Sequence, residues 1–152
     1  MPQTVRFRLD DAAGAEVTAL RARLRSRGLA VPDGTPAVTV AAAAAVSASA
    51  REALAAELRL LALPSIWLAT LGTVAGRPAE LVLAAVVDAE LLAVHSAVHD
   101  ALAGRVRGSV AAYLPGTWLP HCVLATEHPA EAFAALHPIT PIRARVAGLE
   151  IT

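Results

Sequence analysis

"YLPGTWLPHCVLA", residues 113–125, sets one histidine into an otherwise apolar run, just after a Pro-Gly turn and a tryptophan. The run reads as a turn followed by a strand, "HCVLATEH", that begins at His121. In a strand, residues i and i+2 point the same way, so His121 and Val123 share one face and Cys122 takes the other. An earlier stretch repeats the frame. "PAVTVA" at 36–41 and "PHCVLA" at 120–125 both read Pro-x-x-x-x-Ala at the head of an apolar strand. Each leads into a helical segment and then into a further strand. This approximate repeat predicts an α+β fold in one domain over residues 1–152. Two pseudo-symmetric lobes, each an antiparallel sheet backed by helices, would share a central groove. Because "VTVAAA" and "CVLA" are apolar on both faces, both strands are expected to be central in their sheets.

The remaining elements fit that plan. "TVRFRLD" alternates Val5, Phe7 and Leu9 against arginines, the pattern of a half-buried strand. "AGAEVTALRARLRSRGL" aligns Val17, Leu20 and Leu24 on one helical face and ends at Gly28, with its arginines expected on a solvated face. "SASAREALAAELRLLAL" is a helix with Ser47 or Ser49 as N-cap. "SIWLATLGTV" and "AELVLAAVVD" form a hairpin around "AGRP". "AELLAVHSAVHDALAGRV" is a helix with Leu91, Val94, Val98 and Leu102 inward. "PAEAFAALHP" is a short helix opened by Pro129, and "PIRARVAGLEI" is a closing strand.

Composition narrows the function. Of 152 residues, 56% are hydrophobic, ample for a packed core. Thirteen basic and thirteen acidic residues cancel, so bulk charge gives no support to nucleic acid or an anionic membrane as partner. Every basic residue is arginine, which excludes a lysine nucleophile. The single cysteine, Cys122, excludes an intrachain disulfide and a cysteine-based zinc site, and fits a reducing cytoplasm. It is expected to be a buried, inert thiol. The uncharged run between Arg59 and Arg77 is interrupted by Pro64 and Gly72, so two short core elements explain it better than a membrane span. The alanine-rich stretch 41–50 follows the overall composition.

The paired frames resemble those of the 2H phosphoesterases, the superfamily of the 2′-5′ RNA ligases and cyclic nucleotide phosphodiesterases. Its mark is two His-x-Thr/Ser motifs, one per lobe and roughly eighty to ninety residues apart. Here positions 37 and 121 lie 84 apart (121 − 37), and "LLAVHSAVHDAL" and "YLPGTWLPHCVLA" match the run into the second motif. The resemblance covers nearly the whole chain. It implies a groove with Ala37 and Thr39 on one wall and His121 and Val123 on the other, and no metal or other cofactor; Trp118 and Tyr113 read either as groove-lining aromatics that stack a base or ring or as simple packing. In the family, one imidazole deprotonates the nucleophile and the other protonates the leaving oxygen, while two hydroxyls hold the phosphate.

This chain departs from the motif on both walls. The first reads Ala37-Val38-Thr39 and lacks its histidine; the second reads His121-Cys122-Val123 and lacks its hydroxyl. One imidazole and one hydroxyl remain. Losing a general acid or base costs roughly 10²–10⁴ in rate, so ordinary phosphodiesterase turnover is not expected. Two functions compete, beside a third reading as a purely structural or interaction module that fold alone does not separate from them. A degenerate groove would bind a nucleotide, phosphate ester or small organic molecule through His121 and Thr39. Alternatively, a groove made apolar by Ala37 and Val123 would serve a cyclase, isomerase or dehydratase with His121 as single acid or base. Arginines converging on His121 would favour phosphate. Arg143 and Arg145 share one side of the last strand and are candidates if that side faces the groove. His95 and His99 stand four apart on a helix, a spacing compatible with metal but without a third ligand, and read as exposed or groove-lining. His128 and His137 flank the short helix as surface residues.

Overall fold

A computed structural model describes residues 2–152 of the chain. Seven strands and four helices follow one another among the described residues in the order β1 (Gln3–Leu9), α1 (Asp11–Arg25), β2 (Ala37–Val46), α2 (Ala48–Leu60), β3 (Ser65–Val74), β4 (Arg77–Ala85), α3 (Ala89–Leu102), β5 (Val106–Ser109), β6 (His121–Ala125), α4 (Pro129–Leu136) and β7 (Ile142–Ile151). A single 3-10 turn, Ala111–Tyr113, lies between β5 and β6. All strand pairs are antiparallel, in the order β5-β2-β1-β7-β3-β4-β6. The fold is α+β.

Local chemistry sets the boundaries. Asp10, Ser47 and Asp88 each accept a hydrogen bond from a backbone N–H of the first helical turn they precede, which satisfies one otherwise orphaned donor. Pro129 opens α4, where its missing N–H costs nothing. The β3–β4 hairpin turns at Ala75-Gly76, and Gly76 takes the left-handed conformation at φ 87°. Along β1, Val5, Phe7 and Leu9 are buried while Arg8 is exposed, as the alternation predicts.

One strand joins the two halves. The first part of β7, Ile142–Arg145, pairs with β3, and its second part, Val146–Ile151, pairs with β1. On one side of this seam lie β1, β2 and β5; on the other, β3, β4 and β6. Helices α2 and α3 pack together, with α3 against β2. Helices α1 and α4 pack together over the other half, against β7, β6, β4 and β3. The sheet curls enough to bring β2 and β6 within 8 Å (Cα–Cα), although four strands separate them in the hydrogen-bonded order.

The expected centrality of both motif strands is corrected in half. β2 is interior, between β5 and β1, but β6 is the edge strand of the sheet. Cys122 and Leu124 of β6 are buried under the helices, while His121 and Val123 on its other face are half-buried at the groove. Apolarity on both faces therefore marks a covered edge here. β5 and the 3-10 turn were not anticipated from the sequence; four residues with a glycine at Gly108 give too short a pattern to read.

Candidate functional site

Ala37, Thr39, His121 and Val123 line one cavity of about 310 Å³, with Tyr113 among its other walls. Strand pairing explains what joins them. Thr39 lies directly opposite Arg6 on β1, and His121 opposite Ala84 on β4, so each pair shares a face. Arg6, Arg21 and Arg77 also enter the cavity, with Asp33 and Glu80 as its carboxylates. None of the three arginines was anticipated at the site. Arg143 and Arg145, the pair considered from sequence, are not among its walls; Arg143 instead lies over the Trp67 ring, 4.5 Å from its centroid.

The His121 ring has one defined role per nitrogen. Its Nδ1 is 2.6 Å from the Leu119 carbonyl, which can only accept, so Nδ1 carries the proton and donates it. Nε2 is left for the groove, as acceptor in the neutral ring and as donor when protonated. Among the described residues no side-chain hydrogen bond engages the Thr39 hydroxyl, while its backbone carbonyl accepts from Trp118 Nε1 at 2.9 Å.

Of the two readings for Trp118, the structure corrects groove lining in favour of packing. Only 6% exposed, it lies beneath β2 rather than on the groove wall. Its indole stacks on the His95 imidazole at 3.9 Å and 5°. His95 and His99 are neither exposed nor groove-lining. His95 Nε2 donates to the carbonyls of Val40 (3.0 Å) and Tyr113 (2.8 Å), and His99 Nε2 donates to Val40 (2.8 Å). Burial, reinforced by the neighbouring His99, pushes the His95 pKa down to about 4, so the ring is neutral at ordinary pH. Together these rings fasten α3 and the 3-10 turn to β2 behind Thr39. Among the described residues no cluster of three or more His, Cys, Asp or Glu side chains is arranged to hold a metal. His128 and His137 are exposed.

Arg21 is the residue the sequence pattern disguised. It is 6% exposed, whereas the rest of its basic run, Arg23, Arg25 and Arg27, is solvated. Its Nε and Nη2 donate to the Val123 carbonyl (3.1 and 2.8 Å) and its Nη1 to the Gly34 carbonyl (3.2 Å). The guanidinium thus caps the open backbone edge of β6. Burial lowers its pKa, and Arg6 acts in the same direction; a guanidinium still keeps its proton. Arg6 pairs with Glu150 (3.6 Å) and Arg77 with Glu80 (2.9 Å, too poorly aligned for a hydrogen bond). Arg21 has no carboxylate within 4 Å among the described residues, so its charge is met by the Val123 and Gly34 carbonyls and by the Cys122 sulfur, 4.0 Å from Nη2. Tyr113 and Glu80 hold the Arg77 pKa above its usual range. Cys122 is fully buried, and burial raises its thiol pKa against the opposing pull of Arg21.

Among the described residues no helix is long and apolar enough to cross a membrane. No protein-family profile matches the chain, and no curated protein matches it. Among solved structures, the chain is similar to the PDE domain of MHV ns2, with a TM-score of 0.66. The match covers 99% of this chain and 97% of that one at 18% sequence identity. At that identity the likeness speaks for architecture alone: the chain shares the α+β fold of that domain.

Proposed function

We propose that the chain is a divergent 2H phosphoesterase-like protein whose groove binds a phosphate ester or nucleotide without ordinary phosphodiesterase turnover. One observation carries the reading: Arg6, Arg21 and Arg77 converge on the cavity that also holds Thr39 and His121. Arg6 and Arg77 have Glu150 and Glu80 as ion-pair partners, whereas the buried Arg21 guanidinium has no carboxylate within 4 Å among the described residues, so it is the cation left for a ligand. Such a site attracts an anion. His121 Nε2 and the Thr39 hydroxyl would then serve as hydrogen-bonding groups for the non-bridging oxygens. With Ala37 where a second imidazole would stand, proton removal and proton delivery cannot be divided between two bases. The arginines count against an uncharged substrate for the groove.

Titration of the purified protein with inorganic phosphate and with a 2′,3′-cyclic nucleotide tests this. Both should bind, and the cyclic ester should persist unhydrolysed. His121→Ala should weaken binding tenfold or more with the melting temperature nearly unchanged, because a half-exposed groove residue contributes little to the core. Wild-type turnover of about 1–10³ per second, or no binding of either anion, would overturn the proposal.

A further inference from the structure

A second cavity, of about 340 Å³, adjoins the arginine-lined one and shares Arg77, Tyr113 and His121 with it. Beyond those three, its walls are the β3–β4 turn around Val74 and the segment that carries Val110, Ala112 and Leu119. No carboxylate enters it. Its one hydroxyl besides that of Tyr113, on Thr117, already donates within its own turn, to the carbonyls of Ala111 (2.6 Å) and Leu114 (3.2 Å). Leu119 is 52% exposed beside it, although its backbone carbonyl fixes the His121 ring. An occupant of this annex therefore meets apolar surface and few polar groups free to read it.

We infer that the annex receives an uncharged, flat ring attached to the phosphate, so that the ligand class is an aryl-type phosphate ester. The inference rests on the phosphate reading above. His121, Tyr113 and Arg77 stand at the seam, where they reach the ester while the ring lies against Leu119 and Ala112. A polar sugar in the ring's place would lose water and recover few hydrogen bonds, which makes the annex selective for apolar rings. Covering about 100 Å² of ring surface gives on the order of tenfold to hundredfold in affinity.

Calorimetric titration with inorganic phosphate, phenyl phosphate, ribose 5-phosphate and phenol separates the terms. Phenyl phosphate should bind about tenfold or more tightly than inorganic phosphate, ribose 5-phosphate about equally with inorganic phosphate, and phenol weakest of all. Ala112→Trp, which fills the annex, and Leu119→Ser, which removes its apolar wall, should each erase the phenyl advantage. Both side chains are exposed, and inorganic phosphate affinity serves as the internal reference for each variant. A phenyl advantage that survives both substitutions, or ribose 5-phosphate binding as well as phenyl phosphate, would overturn the inference with the phosphate reading intact. Absence of inorganic phosphate binding would bring down the phosphate reading, and this inference with it.

Discussion

The two walls of the groove are built on different principles. Over Thr39 and Val40, β2 is paired with β1 alone, because β5 joins it only from Ala43 onward, and the carbonyls of these two residues are taken by the rings of Trp118, His95 and His99. β6 is paired on one side only, and its free edge is held by the charged guanidinium of Arg21. The β2 wall is held by aromatic rings, the neutral His95 among them. The β6 wall carries the site's unpaired charge in the same side chain that supports it. Stability and electrostatics are therefore separable on one wall and inseparable on the other.

The largest expected effect comes from making the walls chemically alike. Ala37→His with Val123→Thr would restore an imidazole and a hydroxyl to each, and 2′,3′-cyclic phosphodiester hydrolysis should rise by about 10²–10⁴. If the double variant folds, binds phosphate and stays inactive, the walls do not meet at a catalytic distance.

Next comes the β6 support. Arg21→Met leaves the Val123 and Gly34 carbonyls without their donor and should cost about 4 kcal/mol, lowering the melting temperature by on the order of 10 °C. Phosphate binding should weaken in the same variant. A variant that melts like the wild type would show that the edge is held by something else, such as the Thr126 N–H bond to the Ala30 carbonyl (3.1 Å).

On the β2 wall the expected effect is smaller and depends on pH. The unfolded chain protonates His95 near its ordinary value of 6.5, whereas the folded protein resists until about 4. Acid thus favours the unfolded state: the stabilisation is fully present above pH 6.5 and is lost progressively as pH falls towards 4. By pH 5 the loss should reach about 2 kcal/mol. Denaturant melts across that range should show the slope, and His95→Gln should flatten it. An unchanged slope in the variant would move the titration elsewhere.

The smallest effect lies outside both walls. Asp10 Oδ1 accepts from the Arg145 N–H (2.6 Å) and Oδ2 from Ala13 N–H (3.3 Å), and the Arg145 bond leads in lowering the Asp10 pKa. Asp10→Ala should cost about 1 kcal/mol and leave phosphate affinity alone, as thermal melts and a parallel titration would show.

The motif frame made the groove legible because strand periodicity alone aligns Thr39 and Ala37, and His121 and Val123, on single faces. The charge of the groove was harder to read, since its arginines come from elements outside the motif. Arg6 was half visible: the alternation of β1 separated it from Val5 and Phe7, but only the pairing with β2 puts it opposite Thr39. Arg21 carries a sequence signal in its helical position. It stands with Ala13, Val17 and Leu24 on the buried stripe of α1, where an apolar residue would ordinarily be. Arg77 sits at the start of β4 beside a turn, and nothing local indicates which way a hairpin end will lean. Trp118 and His95 looked like surface or rim groups because a sequence does not tell which backbone carbonyls a buried ring will find.

The shared strand β7 also sets the timing of folding. Its residues complete both halves of the sheet, yet they are the last of the seven strands to be synthesised. The backbone of Thr4 exchanges hydrogen bonds with that of Thr152, two residues separated by 148 positions. The two halves are joined only when β7 docks, and β1 gains its second neighbour from the strand farthest from it in the sequence. Such non-local closure pays chain entropy before it is rewarded, which makes refolding slow for a chain of this size. The rate should follow how soon β7 docks rather than how readily the four helices form.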